Sequence, residues 1–208
     1  MVAMIHRCVR VAFRAGLTMA LVMAAGCTST EPTTPVQTDL KVLTYNTRGM
    51  LRADGVSYVD SDKWRFVEVL AGRIIDERPD VVLLQETCTS QATRLADLLS
   101  GRHDMTLTLM PELDAQGRDV LFDHEESRRC PGTDLRSGKA ILTVGPAEQI
   151  AVPTNLHTGS RQGCVRWTGQ RGPIAVCVLH VTTDEAKGIA PAFATWKGPL
   201  ILGGDFKR

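Results

Sequence analysis

From Leu40 onward the chain alternates short, mainly apolar runs with polar stretches. One segment has a clear helical period: Trp64, Val67, Leu70, Ala71, Ile74 and Ile75 recur three and four residues apart, and Pro79 closes the pattern. A second helix is predicted over Ser90 to Leu99. The other apolar runs are short and read as strands: Leu40 to Tyr45, Val81 to Leu84, Met105 to Leu109, Ala140 to Val144, Cys164 to Trp167, Ile174 to Leu179 and Leu200 to Leu202. Val81 to Leu84 is apolar at every position, so this strand must be buried. Gly-, Asp- and Arg-rich stretches at 112–118 and 123–138 read as loops, and no internal repeat is present. Many strands with few helices predict an α+β domain, a two-sheet β-sandwich flanked by helices.

The first 26 residues are set apart from that domain. Arg7, Arg10 and Arg14 precede the apolar stretch Ala15 to Ala25, and no acidic residue occurs before Glu31. This is the layout of an export signal, and the stretch is too short to span a membrane. Ala24-Ala25-Gly26-Cys27 resembles a bacterial lipobox, in which Cys27 would be lipidated and become the new N-terminus; ordinary cleavage after small residues is the alternative. Residues 27–39 are rich in Thr and Pro and read as a tether, which leaves 40–208 as the domain. The expected location is outside the cytoplasm, lipid-anchored at the cell membrane or secreted.

Cleavage before Cys27 removes three positive charges and no negative one, taking the formal net charge from +1 to −2. The mature chain therefore lacks the cationic excess typical of proteins that hold nucleic acid through its phosphates. Setting aside Cys8 and Cys27 leaves Cys88, Cys130, Cys164 and Cys177, which allow three connectivities. "CVRWTGQRGPIAVC" reads as a hairpin turning at Gly169 to Pro173, and counting inward places Cys164 opposite Cys177. The expected pairs are Cys164 with Cys177 and Cys88 with Cys130. Zinc is disfavoured, because no CxxC pair occurs and the predicted compartment is oxidising.

Four polar residues fall at one kind of place. Asn46 follows "LKVLTY", Glu86 follows "DVVLLQ", His180 follows "IAVCVL" and Asp205 follows "LILGG", each at the C-terminal tip of an apolar strand. Taken singly, such residues are ordinary turn formers, solvated loop residues or structural histidines. Together they point to one mouth at the edge of a sheet, where an amide, two carboxylates and an imidazole can hold a hard cation and move a proton.

"TYNTRG", "DVVLLQETC", "SGKAILT", "VCVLHVTT" and "LILGGDF", in this order, resemble the successive motifs of the endonuclease/exonuclease/phosphatase superfamily, with its deoxyribonuclease I-like fold. The resemblance covers residues 40 to 206 and implies a four-layer α/β/β/α sandwich. Its cysteine-bearing "LQETC" and "VCVLH" are similar to those of secreted bacterial members. It implies that Glu86 is the principal ligand of Mg²⁺ or Mn²⁺, with Asn46 orienting it or completing the outer shell. His180 would donate a hydrogen bond to the scissile phosphate, and Asp205 would orient or deprotonate the attacking water. His103, His124 and His157 match no motif and read as structural.

The chain departs from the family pattern at its end. Where the family has Gly-Asp-Phe-Asn, Phe206 is followed by Lys207 and then Arg208, and the family's final strands and terminal Asp-His pair have no counterpart. A lysine cannot accept a hydrogen bond as the asparagine amide does. The expectation is a domain lacking its last strands, through a truncated gene, an incomplete sequence or abandoned catalysis, with little or no turnover by these 208 residues. Three functions stay open: a nuclease, a hydrolase of phospholipid or sugar-phosphate head groups, and a non-catalytic surface lipoprotein that binds through the remaining pocket. The expected partners are a phosphate ester and, through the anchor, a membrane; a monomer is expected.

Overall fold

The computed structural model describes residues 39–47, 60–111, 130, 137–151, 163–169, 172–181 and 183–206. The export signal, Cys27, all but the last residue of the tether, the loop at 112–118, most of 123–138, and Lys207 lie outside them.

Strand β1 (Val42–Asn46) leads through helix α1 (Asp60–Glu77) to a parallel partner, β2 (Val81–Cys88), in register from Val42↔Val81 to Asn46↔Gln85. Parallel neighbours need such a crossover, which the amphipathic α1 provides. Helix α1 stops where Arg78 adopts a left-handed φ of 47° ahead of Pro79, and the Arg78 amide donates to the Ile74 carbonyl at 2.9 Å. Helix α2 (Thr89–Leu99), β3 (Met105–Pro111) and β4 (Ser137–Val144) complete the first sheet in the order β1-β2-β4-β3. Strand β4 thus begins at Ser137, inside the last two residues of the loop predicted to reach 138.

The second sheet contains β5 (Ala147–Ile150), β6 (Gly163–Gly169), β7 (Gly172–Val181) and β8 (Leu200–Phe206), in that order, with helix α3 (Thr183–Phe193) crossing from β7 to its parallel partner β8. Sequence periodicity missed two of these elements. Strand β5 is a four-residue edge whose Glu148 and Gln149 are exposed, so it has no apolar run to reveal it. Helix α3 carries Gly188 and Pro191, which weaken a helical reading, yet Ile189, Ala192 and Phe193 pack onto the sheet.

Three apolar layers hold the sandwich together. Val67, Leu70, Ile74, Leu95 and Leu99 of the first two helices cover Leu43, Val82, Leu84, Ala140 and Leu142 on the outer face of the first sheet. Val81, Leu83, Met110 and Ile141 face Val165, Trp167, Ile174, Val176 and Val178 between the sheets. Leu179 and Val181 lie under α3 on the outer face of the second sheet. The order is α/β/β/α, as the resemblance implies. In β2 and β7 both faces are covered, which is why these strands read as unbroken apolar runs.

Two disulfides join the expected pairs. Cys164 and Cys177 are cross-strand partners with Cα atoms 4.1 Å apart, in a hairpin closing at Gly169↔Gly172. Cys88, the last residue of β2, bonds Cys130. Such bonds suit an oxidising, non-cytosolic compartment. Among the described residues no helix is long and apolar enough to cross a membrane.

Candidate active site

The C-terminal tips of two parallel strand pairs, one from each sheet, meet at one end of the sandwich and bring Asn46, Glu86, His180 and Asp205 together. Ordinary alternation explains three of the four. Val42 packs toward the inter-sheet core and Leu43 toward the helices, so Asn46 falls on the inter-sheet side. Val176 and Val178 face between the sheets, so His180 does too. Asp205 is the register partner of His180 across β7 and β8 and shares its face.

Glu86 is the exception. Val82 and Leu84 of β2 face the helices, and strict alternation would send Glu86 the same way, away from the other three. Instead the β2–β4 pairing shifts register between Leu84↔Ala140 and Thr87↔Gly138, leaving Gln85 and Glu86 opposite the buried Lys139 alone. Glu86 itself has φ 50°, a left-handed conformation that costs a non-glycine residue about 1–2 kcal/mol. The bulge turns the carboxylate toward the second sheet. Thr47, directly after β1, secures it: its amide donates to the Gln85 carbonyl at 2.9 Å and its hydroxyl to the Glu86 carbonyl at 2.7 Å.

Asp205 is delivered by close approach. A Cβ on Gly203 would stand 2.4 Å from Cδ1 of Leu83 in the facing sheet, and one on Gly204 would stand 1.8 Å from the Leu179 carbonyl oxygen in the neighbouring strand. At Gly204 the obstacle is backbone, so only glycine lets β8 lie this near β7, whereas at Gly203 the end of the Leu83 side chain would have to shift.

The Asn46 amide nitrogen donates to both carboxylates, to Oε1 of Glu86 at 3.0 Å and to Oδ2 of Asp205 at 2.8 Å, so one side chain ties the two sheets together. Nε2 of His180 lies 3.1 Å from Oε1 of Glu86 and 3.9 Å from Oδ2 of Asp205. The first of these is a close approach rather than an aligned hydrogen bond. All three titratable side chains are half-buried, and their ligand atoms lie within 4.8 Å of one another. Two carboxylates this close, faced by an amide and an imidazole, form a donor set dominated by hard oxygen atoms. The set fits a hard divalent cation, whose charge would offset their mutual repulsion.

The sequence named these four residues; it missed the supports. Thr47 was visible as a hydroxyl beside Asn46 in "TYNTRG", and Lys139, which lies opposite the bulge, as a lysine inside "SGKAILT". Gln85 is buried, its side-chain amide donating to Oγ1 of Thr44 and to the Leu83 carbonyl, both at 3.1 Å. His103 is structural, with Nε2 2.8 Å from the Pro79 carbonyl. His124 and His157 lie outside the described residues.

Among solved structures, an endonuclease/exonuclease/phosphatase from Beutenbergia cavernae aligns with 80% of this chain and 47% of its own, at 22% identity and a TM-score of 0.52. An endonuclease/exonuclease/phosphatase family protein from Bacteroides thetaiotaomicron aligns with 80% of this chain and 62% of its own, at 14% identity and a TM-score of 0.50. The chain has the endonuclease/exonuclease/phosphatase fold. No family model matches it, and no curated protein sequence does. It spans about half the length of the Beutenbergia cavernae structure (47%). Within this endonuclease/exonuclease/phosphatase fold, both parallel strand pairs end at the cluster, and the bulge in β2 supplies the one side chain that the plain sandwich would misdirect.

Proposed function

We propose that Asn46, Glu86, His180 and Asp205 form the site of a divalent-metal-dependent phosphoesterase. The observation that carries this reading is the approach of Glu86, His180 and Asp205 to within 4.8 Å of one another at the joined strand tips. Glu86 holds the metal, Mg²⁺ or Mn²⁺, with the Asp205 carboxylate beside it. When bound, the metal neutralises charge on the substrate phosphate. Asp205 orients the attacking water and accepts its proton. His180 donates a hydrogen bond to a phosphate oxygen as negative charge builds there. Asn46, donating to both carboxylates, keeps their separation constant.

The substrate class is a phosphate ester. The formal charge of −2 after removal of residues 1–26 favours a small or lipid-borne ester over nucleic acid. Export and anchoring at Cys27 belong to the same reading, supported by the two disulfides and the "AAGC" motif. Mass spectrometry of the mature N-terminus should find a lipidated Cys27, and an unmodified start elsewhere would refute the anchor.

The catalytic proposal is tested on the 208-residue chain by Mn²⁺ titration and by hydrolysis of bis-p-nitrophenyl phosphate, plasmid DNA and sphingomyelin. Glu86→Ala should weaken Mn²⁺ binding by at least ~100-fold and remove whatever metal-dependent turnover the chain shows. Turnover untouched by Glu86→Ala, or ligand binding that needs no metal, would refute it, the latter favouring a binding lipoprotein.

A further inference from the structure

The Glu86 carboxylate reaches the cluster only because the Gln85–Glu86 stretch leaves the regular strand path, and a left-handed backbone persists at a non-glycine residue only where its surroundings over-determine it. Thr47 grips this stretch. It is buried, and its amide donates to the Gln85 carbonyl at 2.9 Å. Its hydroxyl lies 2.7 Å from the Glu86 carbonyl and 3.2 Å from that of Gln85. A hydroxyl has one proton to give, and the shorter contact takes it. The Gln85 carbonyl is served by the Thr47 amide, and that bond would survive any non-proline substitution at 47. What the threonine side chain adds is therefore the bond to Glu86, across the peptide whose rotation aims the carboxylate.

We propose that Thr47 is a positioning residue: its hydroxyl locks the strained Glu86 peptide, so that the carboxylate stays beside His180 and Asp205 and the site's affinity for a divalent cation is set before the cation arrives. The consequence for metal rests on the phosphoesterase reading; the aim of Glu86 does not. The neighbouring Asn46 fixes the same carboxylate from its other end, through Oε1. Consecutive residues of one strand end thus hold Glu86 by its side chain and by its backbone. A merely structural threonine would fill space, and valine would replace it with little change.

The test uses the full chain labelled with ¹⁵N-histidine and free of metal, with the His180 imidazole signal assigned through His180→Asn. Because Nε2 of His180 lies 3.1 Å from Oε1 of Glu86, that signal reports where the carboxylate points. His103, bonded to the Pro79 carbonyl at the opposite end of β2, serves as the folding control. The His180 signal should move in Thr47→Val in the direction it moves in Glu86→Gln, and return in Thr47→Ser, with His103 unchanged throughout. Mn²⁺ affinity should fall about 10-fold in Thr47→Val and recover to within about twofold in Thr47→Ser, the scale on which outer supports of metal ligands act. A His180 signal in Thr47→Val that coincides with wild type, or one that Glu86→Gln also leaves in place, would overturn the proposal. The expected shifts in a protein that binds no Mn²⁺ would uphold the lock on Glu86 and refute the metal reading instead. If valine removes the His103 signal, Thr47→Ala makes the same comparison with less bulk.

Discussion

Among the described strands, Asn46 and Glu86 come from the outermost strand β1 and the inner strand β2 of a parallel pair in the first sheet; in the second, Asp205 and His180 come from the outermost strand β8 and the inner strand β7 of another. Each pair is joined by a helix that covers the outer face of its sheet. The means of delivery differ. The second pair keeps perfect register through His180↔Asp205 and relies on Gly204 to let β8 lie close. The first breaks register and holds a glutamate in a conformation that suits glycine. A side chain is absent in one half so that the backbone can approach, and the backbone is strained in the other so that a side chain can turn. The difference teaches that matching topology brings strand tips together, while local departures from regular geometry decide which groups meet.

The staples differ in the same sense, and removing them should have the largest effects. Cys88–Cys130 closes a separation of 42 residues and begins two residues beyond Glu86, whereas Cys164–Cys177 spans 13 and crosses the body of a hairpin. Loop-closure entropy predicts losses of about 4 and about 3 kcal/mol on replacing each pair with serine, measured by denaturant unfolding. Only the first replacement should also weaken Mn²⁺ binding. Equal effects on metal binding would erase the distinction between the halves.

Exchanging the two backbone devices gives the next largest effect and the smallest. Gly204→Ala should cost about 3 kcal/mol, because the added Cβ has only the Leu179 backbone to displace. In the opposite sense, Glu86→Gly should be more stable than Glu86→Ala by about 1 kcal/mol, since glycine relieves the left-handed strain at φ 50°. Unfolding curves of the three variants decide the matter, and an alanine at 86 as stable as glycine would show that the strain is not stored there.

Much of this architecture was legible in the residues. The period of Trp64 to Ile75 marked α1, and unbroken runs such as Val81 to Leu84 and Ile174 to Leu179 marked strands covered on both faces. Strand β5 was hidden because its exposed Glu148 and Gln149 leave it no apolar pattern, and α3 because packing onto the sheet outweighs the poor propensities of Gly188 and Pro191. The four candidate residues were legible because strand tips are where an apolar run ends and a polar group can begin.

The sequence alone determined the alternation of buried runs, the cysteine pairing of the hairpin and the placing of Asn46, Glu86, His180 and Asp205 at strand ends, since each follows from spacing along one segment. Only the tertiary structure decided that these ends converge, that one amide serves both carboxylates, and that Glu86 turns inward at all. The physical reason is that a bulge is a relation between two strands. No local pattern in β2 records that Gln85 and Glu86 share one partner in β4, or that Thr47, 39 positions earlier, holds the Glu86 carbonyl in place.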